Sequence, residues 1–376
     1  MAKRILITCT DSMMKQFLEP HVVHLVEQGY EVEIACSEVL SRMAEVREDL
    51  GKYVKIHQLR MQRSPLSKDN LKGYKEVKQV IDNGHFDLVW TNEPVMGVMT
   101  RLAARKARKA GTKVLYMAHG FHFYKGAPLL NWLVFYPIEK WMAHYADCIC
   151  TINREDYTRL QKFNVKKKAY IHGVGINTDR LKPSGAETDL RKELGIPDNA
   201  FIVLSVGELN ENKNQKAILQ ALALLRDPDI HYVLCGKGDQ LENLKALAAQ
   251  SGLVENVHFL GYRKDLYRIL TQADAFAMPS KREGLPVASL EAMYCGLPLV
   301  TSNIRGLTDI SAQGENGFLY EPDDCKRFAE GIRTLKNNLP MRQQMSKKNQ
   351  EAVKPFCIES TKREVSLMVH SLCYSD

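Results

Sequence analysis

Long apolar runs are missing from this chain. The longest stretches without charge, Gly126–Ile138 and Ala292–Ile304, are interrupted by proline or glycine. Both fall short of the roughly 20 apolar residues that a membrane-spanning helix needs. At the start, Lys3 and Arg4 precede a short apolar run that Asp11 ends, which is not the pattern of a cleaved leader. No transmembrane segment is expected. A paired cysteine pattern is also missing: the nine cysteines are scattered, mostly in apolar runs. Buried free thiols in a reducing, cytoplasmic setting explain this better than disulfides. No Cys or His group has the spacing of a zinc site, so no metal is expected. No zinc-finger or RNA-binding signature is present, so nucleic acid is not an expected partner.

What remains is ordinary in amount and informative in order. The chain has 376 residues, 45% hydrophobic and 26% charged, which suits a folded protein of two domains. The net charge of +8 fits an anionic partner: nucleic acid, a membrane surface or a phosphorylated substrate. Arg101, Arg105, Lys106, Arg108, Lys109 and Lys113 lie close together, and Lys166–Lys168 form a second run. Taken singly, each cluster reads as a solvated helix face.

Short apolar runs alternate with helical patterns twice over. Strands are expected at Arg4–Thr8, Glu31–Cys36, Phe86–Trp90, Lys113–Met117, Asp147–Ile152 and Lys168–His172, with helices between them, including Pro94–Ala110 and Leu129–Ala143. Pro137 is expected to interrupt the latter. After a Gly- and Pro-containing stretch the pattern restarts at Phe201–Val206 and runs to Asp324–Lys336. The expected domains are 1–180 and 181–350, with a hinge near Gly175–Ala186. A helical tail, 351–376, is expected to return to the first domain. Repeated strand–helix alternation predicts an α/β class with two doubly wound, Rossmann-like domains facing across a cleft. Such sheets bind ligands at the C-terminal ends of their strands.

The richest stretch follows the expected strand Ala275–Met278 and runs from Pro279 to Met293. Gly284 permits a tight turn and Pro286 suits the first turn of a helix. The unpaired N–H groups at that helix start would suit a diphosphate. Glu283 before the helix and Glu291 within it could take hydroxyls on either side, or could equally be a solvated loop acid and a solvated helix acid.

This stretch resembles the Glu-(seven residues)-Glu motif of the retaining glycosyltransferase family 4, which has the GT-B fold. Ser205–Lys213, Gly236–Asp239, Leu260–Tyr262 and Asn316–Leu319 resemble further signatures of the family, in order. In the first half, Arg63–Pro65, Leu102–Arg105 and His119–Phe123 are similar to runs in bacterial enzymes of capsule, exopolysaccharide or lipid-linked oligosaccharide synthesis.

The resemblance implies site roles. Glu291 would bind the nucleotide ribose and Glu283 the donor sugar. The backbone at Gly207 and from Gly284 through Leu285 and Pro286 to Val287 would hold the diphosphate, with Arg282 or Lys281 adding charge. Lys213 would neutralise the leaving phosphate. Tyr262 and Arg263 would lie beside the base, and His119 beside the donor sugar, with His122 a weaker candidate. From the residues alone, Lys213 also fits a surface lysine and His119 a turn histidine bonded to backbone.

Two departures stand out. Glu208 occupies a position where the family often has arginine. The first loop, Thr10–Lys15, lacks the glycines of many relatives; its Met13 and Met14, with Phe17, offer an apolar surface that suits a lipid-linked acceptor or ordinary packing.

The expected reaction is retaining transfer from a nucleoside-diphosphate sugar, a UDP-sugar, to a polyprenyl-diphosphate-linked saccharide. It needs no metal and takes place on the inner face of the cell membrane, which the chain would meet peripherally through the Gln62–Lys68 loop and the aromatic Phe121–Tyr145 region. Trp132 and Phe135 are expected to be buried. A sugar-nucleotide epimerase or hydrolase of the same architecture, and a non-catalytic subunit, remain alternatives.

Overall fold

A computed structural model describes residues 2–10, 17–37, 43–183 and 189–374. The expectations for Asp11–Lys15 lie outside the described residues. The chain divides into two units, Met1–Gly175 with Ile358–Asp376, and Ile176–Cys357.

The first unit is built on seven parallel strands. They are β1 (Arg4–Cys9), β2 (Glu31–Ser37), β3 (Lys55–Leu59), β4 (Leu88–Asn92), β5 (Lys113–Ala118), β6 (Cys148–Thr151) and β7 (Lys167–Tyr170), in the order β3-β2-β1-β4-β5-β6-β7. β1 and β4 read as unbroken apolar runs because both faces of the sheet are covered: Ile5, Leu6, Ile7, Leu88, Val89 and Trp90 are fully buried. The strand order reverses at β1 and β4, so the ends of these two strands form the switch point where such sheets bind ligands.

The second unit repeats the design with β8 (Phe201–Val206), β9 (Ile230–Cys235), β10 (Val257–Gly261), β11 (Ala275–Met278), β12 (Leu299–Ser302) and β13 (Gly317–Tyr320). Their order, β10-β9-β8-β11-β12-β13, puts the switch point between β8 and β11.

The C-terminal segment forms two helices separated at Pro355. Leu339–Ala352 belongs to the second unit, where Asn349 donates to the carbonyls of Leu297 and Asn316 at 2.8 Å each. Ile358–Cys373 belongs to the first. There it buries Val365, Val369 and Leu372, and its Glu364 accepts from the His172 backbone N–H at 2.9 Å.

Four local expectations are corrected. The helix expected over Pro94–Ala110 breaks at Ala104 into Pro94–Ala103 and Arg105–Lys109. Pro137 does not interrupt Leu129–Met142; it sits on an exposed face, where the carbonyl it leaves unpaired is open to water. Trp132 and Phe135 are only half-buried, because the apolar face of their helix is wider than the core cluster it covers. Arg101 is not on a solvated face. It is fully buried, pairs with Glu139 at 2.8 Å and lies 4.0 Å above the Tyr116 ring. One strand, β3, has no counterpart in the sequence reading. As an edge strand spelled Lys-Ile-His-Gln-Leu it needs little apolar character.

Candidate active site

In the second unit the switch point is made by two loops, one after β8 and one after β11. Four hydrogen bonds lace them together. The Lys281 N–H donates to the Asn212 carbonyl at 2.8 Å, and the Asn212 amide returns a bond to the Arg282 carbonyl at 3.0 Å. The Asn214 amide reaches the Pro279 carbonyl at 3.2 Å. Lys213 Nζ donates to Glu283 Oε1 at 2.7 Å. That last pair is mostly sheltered, the two side chains being 22% and 11% exposed. It holds a cation and a carboxylate side by side at this switch point.

Glycine is required here for space. A Cβ at Gly236 would lie 1.8 Å from the Gly207 carbonyl oxygen, and one at Gly306 would lie 2.3 Å from that of Gly284. Close backbone approach therefore shapes both loops.

The loop after β11 leads into the helix Val287–Tyr294, with Pro286 as its N-cap rather than its first residue. The Val287 and Ala288 N–H groups have no acceptor among the described residues, as expected for a helix start, and both residues are half-exposed. They supply two donors and the positive end of a helix dipole. Glu291, one turn further in, is half-buried, and burial raises its carboxyl pKa against the opposing pull of Arg180.

The other expected residues divide clearly. Arg282 and Lys281 are exposed, and Lys281 lies 3.8 Å from Glu211. Tyr262 is 64% exposed. Arg263 is committed to Glu193 and Asp265, the closest contact to Asp265 being 2.7 Å, so only its backbone is available to a ligand. This pairing holds the Asp265 carboxyl down at about 2. Glu208 is exposed, where water screens its charge.

Arg305 escaped the sequence reading. It follows β12, is almost wholly buried, and its Nε donates to the Glu283 carbonyl at 3.1 Å, adding a cation to the Glu283–Gly284 turn. The only trace it leaves in sequence is an Arg-Gly pair shortly after a strand.

In the first unit, His119 follows β5. Its Nε2 lies 3.0 Å from Asn92 Oδ1 at the end of β4, and Asn92 Nδ2 donates to the Thr8 carbonyl in β1 at 3.2 Å. The Asn92 orientation leaves its oxygen for His119, so Nε2 carries the proton and Nδ1 is the acceptor. Burial, with His21 nearby, lowers the imidazole to about 4, which keeps it neutral. His122 packs against Phe135 with ring centroids 4.7 Å apart.

Two doubly wound parallel units in one chain have the architecture of the GT-B fold. Residues 21–180 match the family model described as Glycosyltransferase Family 4, and residues 186–352 match Glycosyl transferases group 1. The chain is 39% identical over 343 residues to the putative glycosyltransferase EpsD of Bacillus subtilis strain 168, covering 89% of this chain and 88% of that protein. It is 29% identical, over 70% of each chain, to the UDP-Gal:alpha-D-GlcNAc-diphosphoundecaprenol alpha-1,3-galactosyltransferase of Escherichia coli. Among solved structures, Anabaena Alr3699/HepE in complex with UDP superposes with a TM-score of 0.81 at 20% identity, over 98% of this chain and all of that one. The chain belongs to glycosyltransferase family 4 and is a glycosyltransferase of the GT-B fold.

Proposed function

We propose that this enzyme transfers a sugar, with retention of configuration, from a UDP-sugar to a hydroxyl of a polyprenyl-diphosphate-linked saccharide during bacterial surface polysaccharide synthesis. The observation that carries the donor side is the Lys213–Glu283 pair beside the helix start at Val287, where Pro286 is buried and Val287 and Ala288 are half-exposed. The diphosphate sits on the Gly207 and Gly284–Val287 backbone, with Arg282 at the rim. Lys213 exchanges its partner Glu283 for the leaving phosphate, and Glu283 is thereby freed to accept a donor-sugar hydroxyl. No metal is needed if the lysine, Arg305 and the helix start share the phosphate charge. Glu291 takes the ribose hydroxyls, Tyr262 and the Arg263 backbone flank the base, and His119 accepts a sugar hydroxyl on Nδ1. The Escherichia coli relative, named for a UDP-sugar and a diphosphoundecaprenol acceptor, supports this choice of substrates.

Glu291 gives a direct test of the nucleotide role. Its ribose bonds need the ionised form, and its folded pKa is raised. Calorimetric UDP affinity should therefore begin to fall, as pH is lowered, above the range where an ordinary glutamate titrates. Glu291→Gln should be weaker wherever wild-type Glu291 is ionised, and should lose that dependence. UDP affinity equal to wild type in Glu291→Gln contradicts the role.

The same reading places the enzyme peripherally at the inner membrane face. Leu129, Leu130, Leu133 and Trp141 on the helix Leu129–Met142 are more than half exposed. Trp141 meets Tyr145 edge-on, and Arg105 lies over the Tyr145 ring, which joins this apolar face to exposed Lys106, Lys109 and Lys166. Apolar side chains beside cations suit an anionic leaflet, each base adding about 1 kcal/mol. The protein should float with phosphatidylglycerol vesicles and be released by salt. Leu129→Asn with Leu133→Asn should weaken binding about tenfold. Flotation unchanged by these substitutions would remove the helix from the attachment.

A further inference from the structure

One half-buried carboxylate of the first unit has no part in the donor chemistry. Glu93 follows β4 at the switch point of the first unit, with Pro94 and the helix Pro94–Ala103 directly after it. Its backbone has φ 64° and ψ 158°, a conformation costing an ordinary residue about 1–3 kcal/mol. Neighbouring bonds hold it there: the Gly97 N–H donates to its carbonyl at 2.8 Å, and the Thr10 N–H donates to its Oε2 at 2.6 Å. A strained residue at the ligand-binding end of a sheet suggests that its side chain is being aimed.

Its target is a cavity of about 520 Å³ within this unit. One wall is apolar, formed by Val95, Val98, Met99, Phe135 and Ile138; Arg63 and His122 also line it. Glu139 lines the cavity too, but its charge is matched by Arg101 at 2.8 Å and its other oxygen accepts from the Tyr116 hydroxyl at 3.1 Å. Glu93 has no such ion pair among the hydrogen bonds described for it. Burial raises its carboxyl pKa, opposed by Thr10 and by the field of Arg63. A carboxylate half withdrawn from water, with one backbone donor on one oxygen, gains free energy from a ligand that donates to the other.

We infer that Glu93 is an acceptor-binding residue: it accepts a hydroxyl of the acceptor saccharide while Arg63 faces the adjoining phosphate and the Val95–Ile138 wall takes the first part of the lipid. A ligand with a hydroxyl, an anionic group and an apolar segment in sequence matches the three surfaces in one cavity. Ile138 is also among the exposed residues of the helix proposed to meet the membrane, so the apolar wall continues to that face. This inference rests on the proposed lipid-linked acceptor and assigns its contact residue.

The test measures binding in the absence of donor, so it does not depend on the donor assignment. The probe is N-acetylglucosaminyl farnesyl diphosphate, titrated calorimetrically into the full chain, with farnesyl diphosphate as the sugar-free control. Wild type should bind the probe at least tenfold more tightly than the control. Glu93→Gln should lose that preference while retaining farnesyl diphosphate binding and an unchanged UDP affinity. Glu93→Gly should also lose it, and should melt no lower than wild type because glycine relieves the backbone strain. If the control binds as well as the probe, or Glu93→Gln keeps the preference, the inference is wrong. Failure of the donor reading would appear separately, as absent UDP binding in wild type.

Discussion

Lys213→Met should slow sugar transfer by about 10²–10³-fold, the cost of removing one strong electrostatic contact to a developing charge. The effect should fall mainly on kcat, because the negative charge on the leaving phosphate grows as the sugar bond breaks. UDP affinity should drop much less. An objection is that the substitution also strips Glu283 of its partner at 2.7 Å and leaves a sheltered carboxylate uncompensated. The double variant Lys213→Met with Glu283→Gln separates the two effects. If the lysine only neutralised Glu283, the double variant would be no slower than Glu283→Gln alone. If the lysine carries phosphate charge, the double variant is markedly slower than Glu283→Gln. Single-turnover rates on the four-member cycle decide between these outcomes.

The largest effect on stability should come from a residue far from phosphate chemistry. Arg101 is fully buried, with Nη2 2.8 Å from Glu139 and Nε donating to the Gly97 carbonyl at 2.8 Å. Glu139 also accepts from Tyr116, so removing Arg101 leaves a desolvated carboxylate with one neutral donor. Breaking such a pair from one side costs about 3–5 kcal/mol, enough to lower the melting temperature of a unit this size by roughly 10 °C. Arg101→Met with Glu139→Gln removes both charges and should recover a good part of the loss. Because Glu139 borders the Glu93 cavity, Arg101→Met should also weaken binding of the farnesyl probe. Thermal melts of the single and double variants measure the first effect. A loss below about 1 kcal/mol would mean the pair contributes little.

The Arg101 case also shows where sequence reading stops. A run of bases looks like a solvated face because period and charge say nothing of a partner 38 positions away. The chain spells out its strands far better. β8 and β11 appear as nearly continuous apolar runs because both faces of a parallel sheet are covered. The loops after β8 and β11 were legible because their pattern is local: glycine for close approach, an acid before a helix and a lysine after a strand. Arg305 and Glu93 were not, since one is brought in from a separate strand end and the other is marked by its backbone angle. The exposed face of Leu129–Met142 was hidden for a related reason. An apolar helix reads as core until the core beneath it is seen to be already filled by Phe121, Phe123 and Phe163.

The central claim is that a UDP-sugar, seated on the Gly284–Val287 turn with Lys213 at its phosphate, gives up its sugar with retention to a lipid-linked saccharide. The direct measurement incubates the full chain with UDP-linked α-hexoses and α-N-acetylhexosamines, with GDP- and ADP-sugars as comparisons, and N-acetylglucosaminyl farnesyl diphosphate as acceptor. The anomeric configuration of the product is read by proton NMR. An α-linked product formed from a UDP-sugar, and lost in Lys213→Met, is the predicted result. A β-linked product, free sugar alone, or transfer that ignores the UDP-sugars would contradict it.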